Sequence, residues 1–201
     1  MMEREKTLAL FDFDGTIARK DTLFEIIKYI CGTRKFYIGV CALSPYFFLY
    51  LCKILSSAKL KERVLMHFFR GMSIDTFNRH CCQFAKEIIP SLIRKDALEM
   101  INKLKAQKAD IAIVTASAEN WVAPWCNDLN ATCIGTRLEV KNGCITGKIE
   151  GNNCNGLEKV NRIKGVFNLL IYNKILAFGD TYNDLPMLHL ATSSYYRFFS
   201  N

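Results

Sequence analysis

The sequence predicts an α/β protein: a doubly wound parallel sheet with a small all-helical cap inserted after the first strand and a short β-hairpin. Three observations lead to this prediction. Short apolar runs alternate with segments of helical periodicity in the second half of the chain, which is typical of a parallel sheet covered by helices. Residues 17–90 show mainly helical patterns, and Asn142-Gly143 separates two short extended runs. Such a pair commonly forms the tight turn of a hairpin.

Length and composition agree with one substantial folded core. The chain has 201 residues, of which 50% are hydrophobic and 23% charged, as is ordinary for a globular protein. Its nine cysteines include no C-x-x-C pair, which argues against a zinc site and indicates buried thiols in a reducing compartment. The charged start, Met1–Lys6, contains no apolar signal segment. We therefore expect a cytoplasmic active site.

The first strand, Thr7–Phe11, is predicted by a short apolar run that would be buried on both faces of a sheet. It ends at two carboxylates, Asp12 and Asp14, followed by Gly15, which allows a sharp turn. Ligands bind beyond the carboxyl ends of strands in open parallel sheets. Two carboxylates this close need a shared proton or a cation, and a hard metal ion such as Mg²⁺ meets that need. An ordinary Asp-Gly surface turn is the alternative.

The helical insert, residues 17–90, follows the first strand. Asp21 can cap the first of its helices, and serine can cap the last. The predicted helices are Leu23–Cys31, Ala58–Phe69 and Ser73–Ile89. We predict that residues 17–90 form the cap, while residues 1–16 and 91–201 form the α/β core.

The insert contains an uncharged stretch from Phe36 to Cys52. It lies at the short limit for a transmembrane helix and Pro45 interrupts it, so a membrane span is the weakest interpretation. The stretch could instead form the buried interior of the cap, because buried helices are apolar all round. A third interpretation is a lip that faces an anionic membrane surface. The flanking lysines and arginines and the net charge of +8 favour that contact.

The remaining predicted elements alternate between helix and strand. Consecutive strands separated by helices pair in parallel, because the chain needs a long crossover to return to the same end of the sheet. We predict helices at Lys95–Gln107, Trp121–Leu129, Asn155–Leu169 and Leu185–Leu190, strands at Ile111–Val114, Lys174–Phe178 and Ser194–Phe199, an extended segment at Thr132–Val140 and the hairpin at Leu138–Lys148.

Polar groups stand at three further strand ends or helix starts. Thr115 and Ser117 follow the second strand, Lys159 lies near the start of a helix, and Gly179–Asp184 follows a later strand. Together with the carboxylates after the first strand, these positions supply acids, hydroxyls and one amine. Phosphoryl transfer requires this inventory: a nucleophile, a metal cage, neutral donors and a fixed positive charge around the phosphate oxygens.

On these four motifs, taken in order, the chain resembles the haloacid dehalogenase (HAD) superfamily of phosphohydrolases, specifically its phosphoserine-phosphatase-like branch, subfamily IB. Asp12-Phe13-Asp14-Gly15-Thr16 is similar to the first motif, Thr115 to the second, Lys159 to the third, and Gly179-Asp180 through Asp184 to the fourth. The resemblance covers nearly the whole chain. It implies a HAD-like Rossmannoid core with a small helical cap.

The resemblance also implies a mechanism. Asp12 would attack phosphorus to form an aspartyl-phosphate, while Asp14 would protonate the leaving oxygen and then deprotonate the hydrolytic water. Mg²⁺ would be held by the Asp12 carboxylate, the backbone carbonyl of Asp14 and Asp180. The groups implied around the phosphoryl oxygens are Thr115, the backbone amide of Ala116, Lys159, Asn183 and Asp184.

The substrate is defined less closely. In phosphoserine phosphatases an acidic residue shortly after the first motif and an arginine in the cap bind the amino acid, and Asp21 and Arg63 could match them. The apolar insert, the hairpin and the segment Asn153–Gly156 resemble instead the branch that contains bacterial phosphatidylglycerophosphate phosphatases. We predict a Mg²⁺-dependent phosphomonoester hydrolase acting on a lipid phosphate at the inner membrane face. Phosphoserine or another small metabolite is the alternative substrate.

Two other functions could use the same residues. A phosphotransferase would pass the phosphoryl group to another hydroxyl, and a binding protein would keep the fold without catalysis. The binding protein has little support, because every charged group that the mechanism needs is present. Nucleic acid is not an expected partner, since basic and aromatic residues do not interleave in a recognisable binding motif. The sequence does not define the oligomeric state.

Overall fold

The structure, a computed structural model, describes residues 6–199. Five strands form the main sheet: β1 (Thr7–Phe11), β2 (Asp110–Ala118), β3 (Thr132–Thr136), β6 (Lys174–Gly179) and β7 (Ser193–Tyr196). Their spatial order is β3-β2-β1-β6-β7, and each neighbouring pair is parallel. The predicted doubly wound parallel sheet is therefore confirmed.

Alternate residues of β1 are buried against opposite layers, which is why the strand is apolar throughout. Leu8 and Leu10 pack into a cluster with Ile163, whereas Ala9 and Phe11 pack into a larger cluster on the other face. A parallel strand covered on both faces has no solvent side, so no polar alternation appears in its sequence. The carboxyl end of β1 is thereby held between two apolar layers.

Ten helices surround the sheet in the described residues. Those before β2 are α1 (Thr22–Cys31), α2 (Thr33–Ala42), α3 (Ser44–Leu51), α4 (Ser57–Phe69), α5 (Ile74–Glu87), α6 (Ile89–Leu92) and α7 (Lys95–Ala106). Those after it are α8 (Glu119–Asp128), α9 (Leu157–Val166) and α10 (Leu185–Leu188). The predicted caps of the first and fifth helices are confirmed, because Asp21 accepts a hydrogen bond from the amide of Leu23 and Ser73 from that of Thr76.

The uncharged stretch Phe36–Cys52 folds into α2 and α3, which meet at Leu43 just before Pro45. Proline is accommodated in the first turn of a helix, where its missing amide hydrogen is not needed. No helix among residues 6–199 combines the length and the apolar character needed to cross a membrane.

The helical insert shares its interior with the sheet. One cluster of buried side chains runs from Phe11 and Phe178 on the sheet to Phe69, Phe77 and Phe84 on α4 and α5. The predicted division into a 17–90 cap and a separate core stays a prediction, since the two parts do not have distinct apolar interiors in this structure.

The predicted hairpin is confirmed as β4 (Leu138–Lys141) and β5 (Cys144–Ile149). Asn142 and Gly143 both have positive φ, at 50° and 73°, as a type I′ turn requires. The hairpin lies against α4: a side chain at Gly147 would collide with the backbone of Met66. It therefore fixes how α4 is rotated about its own axis.

The last strand is shorter than predicted. β7 ends at Tyr196: the Arg197 amide still donates to the Gly179 carbonyl at 2.8 Å, but Arg197 adopts a positive φ of 54°, which turns the chain. The Arg197 guanidinium donates through Nε to the backbone carbonyl of Asp180, 3.1 Å away. Phe199 consequently turns inward and stacks on Phe178, with ring centroids 5.4 Å apart. The predicted helix at Asn155–Leu169 is also shorter in the structure, spanning Leu157–Val166 as α9.

Candidate active site

Three carboxylates meet where β1 and β6 end. Asp12 follows β1, Asp180 and Asp184 follow β6, and these two strands are parallel neighbours, with Phe11 opposite Phe178. The Asp12 amide donates to the carbonyl of Phe178 at 2.9 Å, which continues the strand pairing by one residue. Oxygens of the three carboxylates lie within 4.8 Å of one another.

Lys159 supplies a positive charge inside this cluster. Its ammonium is buried and lies 2.5 Å from Asp12 Oδ1 and 2.6 Å from Asp184 Oδ1. Burial would lower the pKa of Lys159, but the charges of Asp12 and Asp184 outweigh burial and raise its pKa above the ordinary value. The lysine therefore remains a fixed cation, positioned from the first turn of α9.

Asp184 anchors the loop after β6. Its Oδ2 accepts hydrogen bonds from the Thr181 amide at 2.9 Å and the Thr181 hydroxyl at 2.7 Å. Although burial alone would raise the pKa of Asp184, Lys159 and the Thr181 hydrogen bonds hold it below the usual value. Both oxygens of Asp184 thus have protein partners, which suits a supporting role more than direct binding of a ligand.

The donor set fits a divalent metal ion. Burial raises the pKa of Asp12 to about 7; the charge of Asp184 adds to this shift, and the charge of Lys159 opposes it. One lysine therefore does not compensate the three carboxylates. Asp180 is half-buried. Within residues 6–199, its carboxylate accepts one hydrogen bond, from the Thr16 hydroxyl at 3.0 Å. Carboxylate oxygens are the ligands that Mg²⁺ prefers.

Gly15 makes room for this arrangement. It has a φ of +86°, and a Cβ at this position would collide with the Asp180 carboxylate. Only glycine meets both the conformational and the steric requirement without strain. The first motif and the loop after β6 can therefore approach each other closely.

The hydrogen bonds to the Asp14 carboxylate come from neutral groups. Its Oδ1 accepts from the Thr22 amide at 2.8 Å and the Thr22 hydroxyl at 2.7 Å, and its Oδ2 lies 2.5 Å from Ser117 Oγ. The two hydroxyl oxygens are 3.1 Å apart, and Trp121 Nε1 donates to Thr22 Oγ1 at 3.1 Å. Asp14 is thus held by a closed network of neutral donors and acceptors.

Thr115 and Ala116 lie at the end of β2, beside this network. Thr115 is buried and its hydroxyl accepts from the Ser117 amide at 3.0 Å. The Ala116 carbonyl accepts from the Thr136 hydroxyl at 2.6 Å and from Lys61 Nζ at 2.9 Å.

Lys61, not Arg63, reaches the site from α4. The Lys61 ammonium also lies 3.4 Å from Asn153 Oδ1, and burial lowers its pKa, with Asp14 and Asp21 opposing that shift. Two residues along an α-helix correspond to 200° around its axis, so Arg63 points away from Lys61. Its guanidinium lies over the ring of Tyr46, 5.2 Å from the centroid, and the residue is exposed.

The last two predicted residues lie at the rim. Asp21 is exposed and caps α1. Its carboxyl nevertheless lies near the site: desolvation and, to a smaller extent, the charge of Asp14 raise its pKa to about 6. Asn183 is exposed on the loop after β6. The structure therefore brings together Asp12, Asp14, Thr115, Lys159, Asp180 and Asp184, leaves Asp21 and Asn183 at the rim, and keeps Arg63 outside.

Three residues of the site were missed as site residues in the sequence. Thr22 follows the predicted cap residue Asp21, Trp121 begins a predicted helix, and Lys61 is one of several basic residues near the apolar stretch. Ser117 had a visible signal, a hydroxyl just beyond a buried strand. Chemically, the assembled groups provide a buried nucleophile beside a fixed cation, and a second carboxylate whose hydrogen-bond partners are all neutral.

Comparison with known proteins places this geometry in a family. A family model described as haloacid dehalogenase-like hydrolase matches residues 9–189. The chain is 36% identical over 200 residues to Protein CicA of Caulobacter vibrioides, with 98% of this chain and 89% of that protein covered. It is 29% identical over 199 residues to a phosphoserine phosphatase of Methanocaldococcus jannaschii, with 94% and 84% covered.

Solved structures give the same result for the fold. A protein described as having unknown function, from Bordetella pertussis Tohama I, superposes with a TM-score of 0.80 at 22% identity, with 94% of this chain and 89% of that one covered. At this level of identity the likeness establishes the shared fold alone. The family expected from the four motifs is confirmed by the family model and by the relative of 36% identity.

Proposed function

The chain belongs to the haloacid dehalogenase-like hydrolases, and we propose that it is a Mg²⁺-dependent phosphomonoester hydrolase working through an aspartyl-phosphate on Asp12. One observation supports this proposal most directly. The buried Asp12 carboxylate lies against Lys159 and beside Asp180 and Asp184, at the strand ends where a parallel sheet binds ligands. The similarity to a protein named phosphoserine phosphatase supports the same reaction class.

In the first step, an oxygen of Asp12 attacks the phosphorus of the ester. An O–P bond to Asp12 forms while the P–O bond to the alcohol breaks, and the leaving oxygen takes a proton from Asp14. Lys159 offsets the negative charge of the phosphoryl group, which would otherwise repel the carboxylate. When bound, Mg²⁺ supplies further charge neutralisation; Asp12, Asp180 and the Asp14 carbonyl are the groups that would hold it.

In the second step, Asp14 accepts a proton from water, whose oxygen attacks phosphorus. The O–P bond to Asp12 breaks, and inorganic phosphate leaves with the carboxylate restored. Asp14 must therefore hold a proton in one step and lose it in the next.

The hydroxyl network around Asp14 can accommodate both protonation states. When Asp14 is ionised, Thr22 and Ser117 both donate to it at the distances given above. When Asp14 is protonated, it can donate to Ser117 Oγ, Ser117 to Thr22 Oγ1, and Thr22 to the other Asp14 oxygen, because hydroxyl hydrogens rotate. The proton can move without any buried group losing its partner.

We propose a lipid phosphate as the substrate, with a cytoplasmic protein meeting it at an anionic membrane surface. The exposed apolar side chains of α2 and α3 support this substrate class. A small zwitterionic phosphate such as phosphoserine is the second candidate. It is favoured by the presence of both Asp21 and Lys61 near Asp14, since one carboxylate and one ammonium would complement the ammonium and carboxylate of an amino acid.

A substrate panel tests the proposal. Aryl phosphate, phosphoserine and detergent-dispersed phosphatidylglycerophosphate are offered with Mg²⁺ and with excess chelator, and released phosphate is measured. We expect hydrolysis only with Mg²⁺, and the fastest hydrolysis on the lipid. No release of phosphate from any substrate would contradict the proposed reaction, while activity in chelator would contradict the metal requirement.

Lys61→Ala and Arg63→Ala form a matched pair for the second candidate. Both remove a cation from α4, but only Lys61 reaches the site. If phosphoserine is the substrate, Lys61→Ala should raise its KM about tenfold or more through loss of a charged contact, while Arg63→Ala should leave KM unchanged. Equal effects of both variants would exclude the Asp21 and Lys61 subsite.

A further inference from the structure

Part of the helical insert is apolar and exposed. Five large side chains on α2, α3 and the segment that follows them, here called the α2–α3 surface, are between 60% and 74% exposed: Tyr37, Ile38, Phe48, Leu51 and Ile54. Scattered exposed hydrophobic residues are normal, but large side chains gathered in adjoining helices usually mark a surface that something covers.

The inner side of the same helices already serves the protein interior. Phe36 and Leu43 are buried, and Tyr46 and Phe47 pack against the main cluster. One side of the two short helices thus belongs to the protein interior, as the buried-cap interpretation predicts. The other side is exposed, as the membrane-facing interpretation predicts. α3 shows the imbalance most clearly, because it is composed almost wholly of apolar residues and none of them is fully buried. A helix that is apolar all round would ordinarily be covered.

The charge pattern identifies what could cover the surface. Residues 26–61 contain no aspartate or glutamate. Four exposed cations flank the α2–α3 surface in sequence: Arg34, Lys35, Lys53 and Lys59. A segment with exposed apolar side chains, flanking cations and no acid complements a bilayer that carries anionic headgroups, because the apolar groups enter the interface while the cations meet the phosphates.

We propose that the α2–α3 surface docks on an anionic lipid bilayer. The helices lie in the plane of the interface, with Phe48 and Leu51 inserted and the four cations at the headgroup level. Both helices are far too short to span the bilayer, at 10 and 8 residues, but their length suffices for interfacial binding.

The position of the surface relates docking to catalysis. Ile54 lies in the segment that leads into α4, and Lys61, which reaches the catalytic groups, is only about one helical turn into α4. A bilayer bound to the α2–α3 surface would therefore contact the segment that leads into the helix carrying Lys61. The idea that docking delivers a lipid phosphate rests on the proposed function; docking itself does not.

Sedimentation with vesicles tests the proposal. Full-length protein is mixed with vesicles of phosphatidylcholine alone or of an equimolar mixture with phosphatidylglycerol. We expect retention by the anionic vesicles only, and weaker retention as salt is added. Phe48→Asp with Leu51→Asp should lower the partition coefficient roughly a hundredfold, because each side chain contributes about a factor of ten when it leaves water.

A matched control separates docking from nonspecific effects of added charge. Leu170 and Ile171 are exposed apolar residues just before β6, at the opposite end of the sheet from the catalytic groups. Leu170→Asp with Ile171→Asp adds the same charge and should leave vesicle binding unchanged. Equal loss in both double variants would overturn the proposal, as would failure of the wild-type protein to bind anionic vesicles.

Two further measurements keep the interpretation unambiguous. If analytical ultracentrifugation shows a wild-type dimer that Phe48→Asp with Leu51→Asp dissociates, a second copy covers the surface and the bilayer proposal is wrong. Hydrolysis of aryl phosphate, assayed without lipid, reports on the active site alone. We expect this activity to persist in the docking variant, whereas Asp12→Asn should lose activity and still bind vesicles; each proposal can therefore fail without the other.

Discussion

The two aspartates of the first motif are only two residues apart, yet they lie in opposite kinds of environment. Asp12 belongs to a charged half of the site, with Lys159 buried between it and Asp184. Asp14 belongs to a half that we call neutral because its hydrogen bonds come from neutral groups: two hydroxyls and a tryptophan N–H form the network, and the nearby charges of Lys61 and Asp21 have opposite sign. Along a strand, residues two apart would share one face, but β1 ends at Phe11 and the chain turns at Gly15, so the two carboxylates have different neighbours.

This difference matches the two chemical tasks. A nucleophile must stay ionised and meet an anionic substrate, which requires fixed positive charge nearby. An acid that later acts as a base must change protonation state, and fixed charge would hold it in one state. Loss of the cation from the charged half should therefore lower both stability and rate, because two buried carboxylates would lose their partner. The neutral half should be sensitive in rate alone.

Asp12→Asn should have the largest effect on activity. The amide removes the nucleophile, so hydrolysis of aryl phosphate should fall by roughly four orders of magnitude or more, as happens when a catalytic nucleophile is removed. The fold should persist, because Lys159 keeps its ion pair with Asp184. Steady-state kinetics and a thermal melt check both outcomes. A variant with full turnover would remove Asp12 from the mechanism.

Lys159→Met should damage both stability and activity, and thereby distinguishes the charged half. Breaking a buried ion pair by removing one partner costs about 3–5 kcal/mol, because the carboxylates of Asp12 and Asp184 would remain buried without their cation. We expect a Tm lower by roughly 10 °C. Lys164→Met, an exposed lysine on the same helix, is the control and should melt like the wild type. Equal melting of both variants would mean that the cluster does not depend on the lysine.

Asp14→Asn should slow both chemical steps while sparing the fold and the metal site. General acid and base catalysis contributes roughly 10²–10⁴-fold, which is the expected loss in kcat. Metal affinity should persist, because the ligand proposed from this residue is its backbone carbonyl, which the amide keeps. Titration of Mg²⁺ by calorimetry tests this point; collapse of affinity with intact chemistry would mean that the roles are assigned wrongly.

The charged half was largely predictable from the sequence, and the reason is topological. Asp12, Asp180 and Asp184 each follow a buried apolar run, and parallel neighbouring strands bring their carboxyl ends together. Lys159 required the family resemblance in addition, because nothing in the local pattern states which helix start faces the sheet. The doubly wound fold followed from the same alternation of strands and helices.

The residues that proved unpredictable depend on how helices are rotated. Whether Lys61 or Arg63 enters the site is decided by the orientation of α4, and β5 sets that orientation through the close contact of Gly147 with Met66 and a hydrogen bond of 3.0 Å from the Ile149 amide to Glu62. These contacts join positions more than eighty residues apart. Likewise, Phe36–Cys52 is uncharged throughout, so its sequence pattern does not distinguish the side that is buried from the side that is exposed.

Ser117→Ala should have the smallest effect, and it tests the neutral half most sharply. The alanine removes one hydrogen-bond partner of Asp14, at a cost of about 1.4 kcal/mol, so kcat should fall roughly tenfold with KM little changed. The Tm should stay close to that of the wild type, because no charge is left unpaired. Ser91→Ala, which removes an exposed serine hydroxyl bonded to a backbone carbonyl, serves as the control and should change neither quantity.

A double variant decides whether Ser117 acts through Asp14. If the serine only positions this carboxyl and shares its proton, adding Ser117→Ala to Asp14→Asn should cost little further rate, because the group that it serves is already inactive. A full additional tenfold loss would instead mean that Ser117 contributes independently, for example by contacting the phosphoryl group. In that case the closed hydroxyl network would not explain how Asp14 serves as acid and then as base. The contrast between the two halves of the site would then depend on the groups around Thr22.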